Sequence, residues 1–150
     1  DDEEGLSTGG RTPLMYATLL GHKNIVEFII SRGADINAKS SEGKTALMYA
    51  LSEGKKDIAQ LLILKSASDD TRDNNGNNAL MYALIHAQPE MAKSLISKGA
   101  NIFTENNEGN SVLMTASAFG HKEIVEPLIS KGVVVNSQGH SGKTPILSAS

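Results

Sequence analysis

The 150-residue sequence predicts an all-α solenoid, a stack of antiparallel helix pairs, on three observations. A six-residue box recurs five times at a constant 33-residue step; every box opens on a helix N-cap residue type; and the apolar residues are almost all aliphatic or Met, with three Phe, three Tyr and no Trp. A fixed period of this length is the signature of a repeat architecture and overrides local readings. A core without large rings has to be spread over many medium-sized side chains.

The box reads Thr12-Pro13-Leu14-Met15-Tyr16-Ala17, then Thr45-Ala46-Leu47-Met48-Tyr49-Ala50, Asn78-Ala79-Leu80-Met81-Tyr82-Ala83, Ser111-Val112-Leu113-Met114-Thr115-Ala116 and Thr144-Pro145-Ile146-Leu147-Ser148-Ala149. Thr12, Thr45, Asn78, Ser111 and Thr144 each offer a side-chain oxygen to an orphan backbone N–H at a helix start. Pro13 and Pro145 follow at the first helical position, where a missing N–H costs nothing. Leu14, Ala17 and Thr18 then share one face of a short helix.

A second helix follows in each unit. Its apolar face is read from Ile25, Phe28 and Ile29, and from Ile58, Leu61 and Leu62. Asp57, Glu90 and Glu123 fall in its first turn and Arg32, Lys65, Lys98 and Lys131 in its last, complementing the helix dipole at both ends. Gly33, Gly99 and Gly132 read as left-handed C-caps. Pro89 sits in a first turn, where it is tolerated, and Asn74-Asn75-Gly76-Asn77 reads as a turn. Neither helix buries its apolar face alone, so the pairs must stack. The small Ala residues ending the boxes allow close helix approach, and Met15, Met48, Met81 and Met114 fill the remaining core space.

Two irregularities stand out. Ser66 replaces a C-cap Gly and Asp69-Asp70 replace the Ile36-Asn37 pair, which predicts a reshaped loop after the second unit. Pro127 falls inside a second helix, where it costs about 3 kcal/mol and predicts a bend.

Outside the boxes the register holds as well: Gly21-His22-Lys23-Asn24-Ile25-Val26-Glu27 is echoed by Gly120-His121-Lys122-Glu123-Ile124-Val125-Glu126, and Gly33-Ala34-Asp35-Ile36-Asn37 by Gly99-Ala100-Asn101-Ile102-Phe103. Together these residues resemble the ankyrin repeat family. The resemblance implies units of one β-turn and two antiparallel helices, hence an ankyrin-repeat solenoid joined by β-turn/hairpin loops. The expected layout is an acidic leader at residues 1–6, repeats at 7–39, 40–72, 73–105 and 106–138, and half a repeat at 139–150. The chain is expected to leave apolar surface at that half repeat for something else to cover. Many members carry His where this chain has Met, so the usual turn-bracing hydrogen bond is not expected here.

Composition narrows the function. Net charge is −3, but Asp1, Asp2, Glu3 and Glu4 open the chain, and without them thirteen acids face fourteen bases. Such a body lacks the basic footprint that gathers phosphates, so nucleic acid is not an expected partner. No apolar stretch approaches the ~20 residues that span a bilayer. The absence of Cys excludes disulfides and thiolate chemistry and fits either redox compartment. A cytoplasmic, monomeric protein is expected, with a secreted or periplasmic one as the alternative should a leader have been removed.

Candidate catalytic features dissolve on inspection. Gly43-Lys44-Thr45 and Gly142-Lys143-Thr144 resemble the end of a phosphate-binding loop, but its first glycine is replaced by Ala38 and Ser137. The same repeat positions hold Gly10-Arg11-Thr12, so these are turn and N-cap residues. His22 and His121 occupy equivalent positions in distant units, too far apart to share a metal ion, and are expected to bond the turn between paired helices. His86 falls at the exposed end of a first helix, and His140 at a tip. No enzymatic activity, cofactor, metal or small-molecule pocket is expected.

The resemblance implies a non-catalytic protein–protein interaction module, a scaffold or adaptor that holds its partner in a concave groove of hairpin tips and first helices. The alternative is a targeting or regulatory segment of a longer, possibly enzymatic, protein. Carried onto this chain, the helix-end positions are Leu19, Leu20, Ser52, Glu53, Ile85, His86, Ala118 and Phe119. The tips contribute Arg11, Ser41, Glu42, Lys44, Asn74, Asn75, Asn77, Asn107, Glu108, Asn110, His140, Ser141 and Lys143. Leu20, Ile85 and Phe119, apolar at positions expected to be exposed, are the candidate anchors.

Overall fold

A computed structural model describes residues 9–65, 70–133 and 135. The acidic leader, Ser66 and Asp69 of the reshaped loop, and the half repeat with Thr144, Pro145 and His140 lie outside the described residues. Among the described residues there are eight helices and no strand: α1 (Pro13–Leu20), α2 (Lys23–Ser31), α3 (Ala46–Ser52), α4 (Lys56–Leu64), α5 (Ala79–Ile85), α6 (Pro89–Ser97), α7 (Val112–Ala118) and α8 (Lys122–Ser130).

The caps behave as their chemistry requires. Thr12, Thr45, Asn78 and Ser111 accept from the backbone N–H of Met15, Met48, Met81 and Met114 at 3.0–3.3 Å. Pro13 and Pro89 occupy the first turns of α1 and α6, and Asp57, Glu90 and Glu123 the first turns of α4, α6 and α8. Gly33, Gly99 and Gly132 follow their helices at positive φ. Arg32, Lys65, Lys98 and Lys131 lie one residue beyond the last helical turn, at the C-cap, still beside the negative end of the dipole.

Each odd-numbered helix packs against its successor, and both rows stack in order, α1 on α3 on α5 on α7 and α2 on α4 on α6 on α8. The row of first helices is the more closely packed, because Ala17, Ala46, Ala50, Ala79, Ala83 and Ala116 are buried there. That row and the tips make up the side on which the family resemblance places the groove. The core runs its length: the Leu column from Leu14 to Leu113 and the Met column from Met15 to Met114 are buried, each side chain contributing about 1.5–3 kcal/mol. Leu14, Ala17 and Thr18 share the buried face of α1 as expected.

The expected face of the second helix holds in α4 and fails in α2. In α2 the buried residue is Val26, whereas Ile25 and Phe28 are exposed and Ile29 is half-buried. In α4 the buried set is Ile58, Ala59, Leu62 and Ile63, with Leu61 half-buried. An interior second helix is covered by its own partner and by a neighbouring pair on either side, whereas α2 has no described pair before it, which leaves Ile25 exposed where Ile58 is buried. Pro127 is half-buried inside α8, which continues through it for nine residues, the length of α4 and α6.

Tips are built on one plan. Ser40, Asp73 and Asn106 each place a side-chain oxygen on two backbone N–H groups ahead of them, at 2.9–3.3 Å. Each tip then bonds the next: Asn74 N donates to Glu42 O and Asn107 N to Asn75 O, while the side-chain amides of Asn74 and Asn107 reach Ser41 O and Asn74 O. Such close approach leaves no room for a side chain at the turn. A Cβ on Gly76 would lie 2.8 Å from Asn107 N, and its φ of +84° is open to glycine.

Candidate functional site

Three rows in 33-residue register run along the tips and the first helices. Arg11, Lys44, Asn77 and Asn110 each follow a tip glycine; Tyr16, Tyr49, Tyr82 and Thr115 stand in the middle of the first helices; and Leu20, Glu53, His86 and Phe119 close the helix ends. Tyr49 and Tyr82 are anchored from below, Tyr49 donating its hydroxyl to Ser40 Oγ at 3.0 Å and Tyr82 to Asp73 Oδ2 at 2.5 Å. Burial, then the bond to Asp73, holds the Tyr82 hydroxyl protonated well above the ordinary phenol range.

Toward its α1 end the groove is cationic and aromatic. The Arg11 guanidinium carbon lies 5.5 Å from the Tyr49 ring centroid, and Lys44 Nζ lies 5.5 Å from Tyr49 and 6.0 Å from Tyr82. Each such contact contributes roughly 0.5–1 kcal/mol at an exposed site. Glu42 pairs with Lys44 at 3.4 Å, and the ring of His86 stacks on Tyr82 at 5.9 Å. The α7 end has neutral amides above a hollow of about 340 Å³, lined by Asn77, Ile85, Asn106, Glu108, Asn110, Met114, Thr115, Ala118 and Phe119. This hollow is open to the surface.

The expected residues fall into three groups. Asn77, Ile85, Glu108, Asn110, Ala118 and Phe119 meet around that hollow. Arg11, Glu42 and Lys44 meet around Tyr49, close to Ser52, whose hydroxyl donates to Tyr49 O. Leu20 stands apart, beside Gly21, Lys23 and Lys55 in a separate hollow where paired helices turn. Leu19 packs half-buried against the core, Glu53 is exposed at the end of α3, and Asn75 spends its carbonyl on the next tip. Of the three apolar anchors, Leu20 and Phe119 are exposed as expected, but Ile85 is half-buried because Phe119 and Ala118 of the next unit flank it.

Tyr49 and Tyr82 are buried in the core, and Met114, Thr115 and Asn106, which the sequence did not mark as site residues, join the lining of the hollow. The tyrosine column is visible in the register, and Tyr16 and Tyr49 each follow a tip cation, Arg11 and Lys44, by five residues. His121 also differs from expectation. Its Nε2–H donates to Leu84 O at 2.8 Å, so it bonds the end of the preceding unit's first helix and not its own turn. Among the described residues no group of His, Asp or Glu is arranged to hold a metal ion, and no helix is long and apolar enough to cross a membrane.

This arrangement is that of a helical repeat protein whose framework is constant and whose groove side chains vary. Family comparison gives the class a name: a model of ankyrin repeats in three copies matches residues 38–106 and 88–150, and a single ankyrin repeat matches 9–41. The chain belongs to the ankyrin repeat family. Ankyrin repeats serve generally as protein–protein interaction modules and are typically non-catalytic. A comparison with curated proteins returns no match.

Proposed function

We propose that this chain is a scaffold or adaptor whose concave groove holds a segment of a partner protein. The partner seats an apolar side chain in the hollow between Ile85 and Phe119 and lies along the Arg11, Lys44 and tyrosine rows. What supports this reading is that six positions, placed at helix ends and tips by the family resemblance, line a single hollow of about 340 Å³. Apolar atoms there are bounded by amides that orient a ligand without demanding charge. Glu42, Glu53 and Glu108 offset Arg11 and Lys44 along the rim, so the partner is neither strongly acidic nor strongly basic.

The test is affinity capture from the source organism with the native chain and with Ile85→Arg plus Phe119→Arg, each followed by mass spectrometry and circular dichroism. The double variant is expected to stay folded and lose the partners that the native chain captures. A folded double variant with an unchanged capture profile overturns the groove assignment.

A further inference from the structure

The outer face of the first helix pair carries the residues of an interior interface. Four repeat columns show it by direct comparison. Ile25 is 48% exposed, whereas its equivalents Ile58, Met91 and Ile124, in the pairs that have another stacked ahead of them, are buried. Tyr16 is 38% exposed, and Tyr49 and Tyr82 are buried. Pro13 is exposed, where Ala46, Ala79 and Val112 are buried. His22 is exposed, while its equivalent His121 donates to the carbonyl of Leu84, which lies in the first helix of the preceding pair. Phe28, 60% exposed, extends the same flank. A stack that ends in water closes on polar side chains, because an uncovered repeat face behaves like a core cut open.

We infer that α1–α2 is an interior unit, covered in the working protein by a further ankyrin-type helix pair on the same polypeptide. That pair brings the last carbonyl of its first helix to His22 Nε2 and packs apolar side chains onto Ile25 and Tyr16. The His22 and Ile25 positions name the occupant. A second class of partner has no reason to present a helix-terminal carbonyl at the spacing His121 uses, while a stacked repeat ahead of His22 does so as α5 does for His121.

The experiment places a copy of residues 73–105 directly ahead of Ser7. Its Leu84 then falls 37 residues before His22, the separation of Leu84 and His121. His22→Ala and Ile25→Ser are made in the native and extended chains, with thermal midpoints and hydrogen exchange of α2 as readouts. The expected result is slower exchange across α2 in the extended chain. Both substitutions there lower the midpoint by about 3 °C or more, with little change in the native chain. Unchanged α2 exchange, or equal effects of the substitutions in both backgrounds, overturns the inference. Concentration-dependent self-association of the native chain that Ile25→Ser abolishes assigns the face to a second copy and overturns it too. Sequencing the native transcript upstream of the Asp1 codon decides the natural case: a 33-residue unit in register supports the inference, and its absence refutes it.

Discussion

The hydroxyl of Tyr82 donates to the buried carboxylate of Asp73 at 2.5 Å, across nine residues that run from the tip of one repeat into its first helix. Asp73 holds that tip in shape with its other oxygen, through the backbone N–H groups of Asn75 and Asn77, both at 2.9 Å. One side-chain pair thus couples the floor of the groove to the loop that forms its wall. Tyr49 and Ser40 make the equivalent, uncharged bond one repeat earlier, at 3.0 Å.

Tyr82→Phe is therefore expected to cost about 1.5–3 kcal/mol, since it strips a charge-assisted bond and leaves a buried carboxylate oxygen bare. It also changes the alkaline limb. Tyr82 ionises above its unfolded value of 10.0 in the native state, so the unfolded chain releases the proton first. The stabilisation is whole below pH 10 and falls as pH rises above it, by about 1.4 kcal/mol per pH unit until the native group itself ionises. Urea titrations between pH 8 and 11 are expected to show a shallower loss in the variant; parallel curves would remove the Tyr82 contribution.

Gly76→Ala is expected to destabilise by more than about 2 kcal/mol, combining a positive-φ penalty with a contact that forces two tips apart. Gly33→Ala, also at positive φ but with open space around its Cβ position, is the internal control and is expected to cost only about 1 kcal/mol. Equal losses in chemical denaturation would show that tip-to-tip approach is not the constraint at Gly76.

Thr18 buries its hydroxyl without a hydrogen-bond partner, at the column where α3 and α5 carry Leu51 and Leu84. Thr18→Val keeps the shape and removes the stranded polar atom, so it is expected to stabilise by about 1 kcal/mol and raise the thermal midpoint by about 2–4 °C. A lower midpoint would mean that the hydroxyl finds a partner in solution.

Pro127 lies inside α8 in the column of Leu61 and Ser94, half-buried, and supplies no N–H toward the carbonyl of Glu123. Pro127→Leu restores that donor and adds apolar contact, and is expected to raise the melting temperature by several degrees. Measured melting at or below the native value would count against any cost of the proline at this site.

Much of the fold is legible in single residues because a cap or a turn is a local event. Thr45 or Asn78 needs only the N–H three residues ahead, and Gly76 only a left-handed bend, so both read correctly without any knowledge of neighbours. The groove was legible in part, since the family resemblance placed Phe119, Asn77 and Asn110 at a helix end and at tips, and all three line the hollow. Leu20 was marked on the same ground and belongs to another hollow, beside Gly21 and Lys55, which register alone does not reveal.

The sequence by itself determined the repeat, its caps and its turn chemistry, all of which act within one 33-residue unit. Only the tertiary structure decided which face of each second helix is buried, which tip bonds which, that His121 reaches Leu84 in the preceding unit, and that Ile25 stands in water while Ile124 does not. The reason is physical: these outcomes depend on what the adjacent pair presents, and two identical residues in a repeat differ in burial when only one of them has a neighbour.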